Sequence, residues 1–102
     1  MNTKAKLLDI AMNLNRVGNW AADDYVMKQK RISFFLDQTS DYLTDIQTRN
    51  LPLAVKGIFI RFTKEYPNLK EEGKIGPKDN LYWAERMMTW GNILTHRSQL
   101  IK

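Results

Sequence analysis

The 102-residue chain has no cysteine and a single histidine. Without thiols it can form no disulfide, hold no metal through thiolate and offer no thiol nucleophile. This excludes a small bridge-stapled secreted scaffold and makes a reducing, cytoplasmic compartment the expectation. His96 is the only imidazole. It stands opposite the apolar stripe of its own predicted helix, so a solvent position is expected rather than a metal or acid–base role. Adjacent carboxylates occur at Asp23-Asp24 and Glu71-Glu72. Neighbours on a helix diverge by about 100° and do not converge on one ion, and no Glu-x-x-His pair of the di-iron bundles is present. No cofactor, metal site or catalytic residue is therefore expected, and an enzyme is disfavoured. Long apolar runs are also lacking. Polar residues interrupt MNTKAKLLDIAMNLNR every two or three positions, which predicts no signal peptide, and no stretch has membrane length.

What the chain does have is 43% apolar and 11% aromatic residues, enough to build one core. Its length suits a single domain over residues 1–102. Apolar residues return every three or four positions and never alternate over a strand's length, predicting an all-α fold: a small antiparallel four-helix bundle with helices at about 3–22, 24–47, 51–66 and 80–101. The first stripe is Leu7, Ala11, Leu14, Gly18 and Ala21, widened by Ile10 and Val17, with Asn2 or Thr3 as cap. Gly18 implies either close approach of a neighbour or a bend. The first helix ends between Gly18 and Asp24, and Trp20 falls in the core or at an interface according to where that turn lies.

The second stripe, Tyr25, Ile32, Phe35, Leu36, Thr39, Leu43 and Ile46, is the most regular. Asn50 is the expected cap of the third helix, with Pro52 in its first turn. Leu51, Ala54, Val55, Ile58, Phe59 and Phe62 point inward, and Pro67 is expected to end the helix. Residues 67–79 then form an exposed loop, whose Gly73-x-x-Gly76 lacks the strand and Gly-Lys-Ser/Thr ending of a phosphate cradle. Asp79 or Asn80 caps the last helix, striped by Trp83, Met87, Trp90, Leu94 and Ile101 and bordered by Ala84 and Gly91.

The net charge of +5 spreads as 0, +1, +2 and +2 over residues 1–24, 25–50, 51–79 and 80–102. That distribution reads as a solvated surface rather than a basic block. One feature exceeds the needs of a minimal bundle. Met27 and Phe34 lie opposite Ile32 and Leu36, and Leu53 and Ile60 lie opposite Ile58, so two helices are apolar on two sides. Met27, Phe34, Leu53 and Ile60 are thus candidate interface residues, and the leading expectation is a non-enzymatic module that forms a homodimer or binds a protein partner. The first alternative is a nucleic-acid-binding regulatory domain using Lys28, Lys30 and Arg31, although steps of 100° scatter these three around a helix. The second is a bundle that holds a small apolar ligand between Trp83, Trp90 and the aromatics of the second helix. The small helical architecture resembles that of the HEPN ribonucleases. Their closely spaced arginine–histidine motif has no counterpart, since Arg86 precedes His96 by ten positions, and no residue role is carried over.

Overall fold

The computed structural model describes residues 2–101. Among them there is no strand, and the helices are α1 (Thr3–Thr44), α2 (Leu53–Ile75) and α3 (Asn80–Ser98), with a 3-10 turn at Thr48–Asn50. The all-α class is as predicted, but the helix count is three rather than four. No loop divides residues 3–22 from 24–47: α1 departs from helical dihedrals only at Asp24, an extended residue with φ −157° and ψ 87°.

That one residue reverses the chain. A straight helix of 42 residues would run about 63 Å at 1.5 Å per residue, yet the longest dimension of the molecule is 39 Å. Contacts between the two arms of α1, residues 3–23 and 25–44, give the same result. Lys6 Nζ donates to the Asp45 carbonyl at 3.1 Å, and Asn13 Nδ2 donates to Gln38 Oε1 at 3.0 Å. Nearer the fold, the Trp20 and Phe35 rings lie 5.3 Å apart. The turn needs no loop because Asp24 serves as its own cap, its carboxylate accepting from the Met27 N–H at 3.2 Å. Asn2 caps the start of α1 through the Ala5 N–H at 2.7 Å, and Asp79 caps α3 through the Tyr82 N–H at 3.0 Å. Gly18 is no bend. A Cβ there would lie 2.4 Å from Met88 Cγ and 3.0 Å from the Ala84 carbonyl oxygen, so its bareness lets α3 press against the first arm.

The second correction concerns Pro67, which does not end its helix. α2 continues to Ile75, and the loop expected over 67–79 shrinks to the few residues between Ile75 and Asn80. Proline removes one backbone hydrogen bond and crowds the preceding turn, at a cost near 3 kcal/mol in a helix interior. Here the two turns beyond it are tied to the rest of the chain. Leu69 is fully buried, its carbonyl accepts from Trp83 Nε1 at 3.0 Å, and the Gly73 carbonyl accepts from the Tyr25 hydroxyl. Burying Leu69 alone contributes about 1.5–3 kcal/mol, and with the two hydrogen bonds, at about 0.5–1.5 kcal/mol each, these contacts offset the proline penalty. α2 stops instead at Gly76, whose φ of 118° is open to glycine and strained for other residues.

At the other end of α2, Pro52 occupies the cap position without a side-chain hydrogen bond, and Leu53 begins the helix. Asn50 lies in the 3-10 turn, where its amide reaches Gln47 at 3.4 Å. The arm expected to reach residue 47 ends at Thr44, and α3 ends at Ser98 rather than 101. Of the inward-facing residues predicted on the third helix, Ala54 is exposed. The remaining core follows the stripes: Leu7, Ile10, Ala11, Leu14, Ile32, Leu36, Val55, Phe59, Phe62, Trp83, Met87 and Leu94 are all buried. No buried side-chain polar atom among the described residues lacks a hydrogen-bond partner.

Candidate interaction surfaces

Trp83 and Trp90 both pack against neighbouring side chains, and Trp90 also borders a shallow pocket of about 260 Å³ with Glu65, Tyr82 and Arg86. Trp83 is fully buried, while Trp90 packs on Phe62 with ring centroids 5.2 Å apart and donates from Nε1 to Glu65 at 2.9 Å. Two larger surface grooves lie elsewhere. One of about 580 Å³ runs along the end of α2 and is lined by Ile75, Pro77 and Tyr82 together with Glu71, Glu72 and Asp79. Another of about 470 Å³ lies beside Ser40, Leu43, Tyr66 and Lys70. Among the described residues no group of three or more His, Asp or Glu side chains could hold a metal ion, and no helix is long and apolar enough to cross a membrane. His96 is exposed.

The three cations considered for nucleic acid have different surroundings. Lys28 pairs with Asp23, and this lysine holds the Asp23 carboxyl below its ordinary range. Arg31 lies over the Trp20 ring at 5.2 Å, and Lys30 is exposed. Trp20 itself is half-buried, between the arms of α1 rather than in the centre of the core. It begins an aromatic ladder that ends in solvent. Trp20 packs on Phe35, Phe35 meets Phe34 edge-on at 5.2 Å and 81°, and Arg16 sits 5.2 Å over Phe35.

All four candidate interface residues are open: Met27 is 79%, Phe34 60%, Leu53 87% and Ile60 39% exposed. They belong to two separate faces. Lys74 Nζ reaches Ser33 and Asp37, which sets Phe34 level with the end of α2. Ile60 lies fourteen positions back along α2, on the order of 20 Å away at 1.5 Å per residue.

The face around Phe34 carries mixed charge. Lys30 and Arg31 precede it by one turn, while Asp37 and Asp41 follow. Asp37 also pairs with Lys74 at 2.8 Å and Lys70 at 3.2 Å. Hydrogen bonding to Lys74, more than any other cause, holds its carboxyl below the usual carboxylate value.

The face around Ile60 is predominantly basic, which charge totals over longer segments hide. From Ile46 through Lys64 there is no Asp or Glu, and four cations stand in that stretch: Arg49, Lys56, Arg61 and Lys64. From Arg86 onward α3 has no carboxylate either. The fold joins the two stretches, since Arg97 Nη1 donates to the Ala54 carbonyl at 2.6 Å. Among the described residues Arg49, Lys56, Lys64 and Arg97 have no carboxylate within ion-pair distance, and Arg61 has only Glu65, at 3.9 Å. The acid-free run could be read from the sequence. Its neighbour in space could not, because that depends on how α3 returns along α2.

Comparison with protein-family models, with curated proteins and with solved structures finds no match for this chain.

Proposed function

We propose that the chain is a non-enzymatic self-association module, a homodimer joined through the outward face of the second arm of α1. In this reading the two arms of α1 count as separate rods, and with α2 and α3 they make an antiparallel four-helix bundle that presents Phe34 to a second copy. The observation that carries the reading is the aromatic ladder ending in exposed Phe34, set in a field of charge that suits its own inverse. A two-fold axis through Phe34 places residues three before it opposite residues three after it. Arg31 then faces Asp37 of the second copy, and the pair occurs twice. Desolvating Phe34 would contribute about 1.5–3 kcal/mol per copy, and the charge pairs would set register more than affinity. A cysteine-free chain suits a reducing, cytoplasmic setting.

Size-exclusion chromatography with light scattering tests this reading. The expected mass is twice the 12.0 kDa chain. Phe34→Ser is expected to return it to a monomer with unchanged helical circular dichroism. A monomer at every concentration removes the proposal.

A further inference from the structure

The outward face of the first half of α2 asks for a different occupant. On a helical wheel Leu53, Gly57, Ile60 and Lys64 fall within about 60° of one another, with Lys56 on one flank and Arg61 on the other. Leu53 and Ile60 are exposed. Gly57 has no role inside the fold: a Cβ built there meets nothing within 4 Å, although glycine is a much poorer helix former than alanine. The result is a shallow apolar strip with a flat spot at its centre, edged by cations.

A second copy does not fit this strip. A two-fold axis between Gly57 and Ile60 would set Lys56 opposite Arg61 and Leu53 opposite Lys64, so like charges would meet. The phosphates of nucleic acid would meet the cations but leave Leu53 and Ile60 without apolar contact. A lipid surface has no use for a flat spot flanked by taller side chains. A helix does, because a missing side chain lets two backbones approach closely. We propose that this face docks an amphipathic helix of another protein whose apolar stripe is bordered by carboxylates. The sign of the charge selects the partner, and Gly57 lets its backbone seat between Leu53 and Ile60.

The probe is a synthetic helical peptide with leucine every three or four residues and glutamate on both flanks, compared with a version carrying lysine in place of glutamate. Binding to the full chain is followed by fluorescence anisotropy and by backbone amide shifts. The acidic peptide is expected to bind at least about tenfold more tightly than the lysine version, with shifts concentrated in residues 53–64. Gly57→Gln, which keeps the helix and fills the flat spot, is expected to lower affinity by about tenfold or more with no loss of thermal stability. Lys56→Glu with Lys64→Glu is expected to abolish the preference for the acidic peptide, whereas Phe34→Ser leaves binding unchanged. Equal affinity for the two peptides, no binding, or full binding by Gly57→Gln overturns the proposal. So does tighter binding to duplex DNA or to phosphatidylserine vesicles that the same substitutions remove. Self-assembly of the chain that disappears in Lys56→Glu with Lys64→Glu reassigns the face to a second copy and likewise overturns it.

Discussion

Within the single helix α2, two halves are used in opposite ways. Between Tyr66 and Lys74 the helix is tied to the rest of the chain from several sides. The Tyr66 hydroxyl donates to the Leu36 carbonyl at 2.7 Å, and its burial raises its pKa. Trp83 holds the Leu69 carbonyl, and Lys70 and Lys74 converge on Asp37. From Leu53 to Lys64 the inward residues Val55, Phe59 and Phe62 are buried as deeply, but the outward side chains meet little. One half is committed on several sides, which is why it tolerates a proline at its start. The other is committed on one side and has a face to spare.

The largest expected contrast comes from truncating one leucine in each half. Leu69→Ala is expected to cost about 2–5 kcal/mol, because a fully buried side chain leaves a cavity. Leu53→Ala is expected to stay within about 0.5 kcal/mol, as an exposed substitution. Urea denaturation followed by circular dichroism measures both. Equal losses would mean that Leu53 belongs to the core and that the two halves do not differ.

A smaller contrast, and a change of sign, is expected from the glycines. A Cβ at Gly73 would lie 2.4 Å from Trp83 Cζ2 and 2.8 Å from Leu36 Cδ1, so Gly73→Ala is expected to lose about 1–3 kcal/mol through overpacking. Gly57→Ala meets open space and is expected to gain up to about 1 kcal/mol from helix propensity. Thermal melts of the two variants should move in opposite directions.

The least of these effects is in pH. The folded pKa of Asp37 lies below its ordinary 3.8, so its pairing with Lys70 and Lys74 adds stability above that value. The contribution is lost as pH falls through the lowered one. Asp37→Asn is therefore expected to flatten the acid side of the melting-temperature profile. Lys56→Met, in the half without carboxylates, is expected to leave it unchanged.

Much of the fold was legible from spacing alone. The stripes through Leu7, Ile32, Phe59 and Trp83 repeat at helical intervals because each segment has one side against the core, and the short carboxylate of Asp24 suits a helix start, where it satisfies free N–H groups. Pro67 misled for a physical reason. Its rule is local, and the contacts that override it come from Tyr25, Leu36 and Trp83, residues far away in sequence. Gly57 and Gly73 look alike on paper, since only packing distinguishes a glycine with no room from one with no neighbour. Exposure of Phe34 and Ile60 followed from the wheel. Their separation into a mixed-charge face and a basic face did not, because it depends on the level at which α2 runs beside α1.

The central claim, an antiparallel dimer about Phe34, is tested most directly by cysteine cross-linking, since the chain has no cysteine of its own. Lys30 and Gln38 stand four residues on either side of the axis and would face each other across it. Within one chain they are two turns apart, about 12 Å, too far to bridge. The variant Lys30→Cys with Gln38→Cys is expected to oxidise to a covalent dimer, while Ile60→Cys under the same conditions remains a monomer. A double variant that remains monomeric, or an Ile60→Cys chain that cross-links equally well, would contradict the claim.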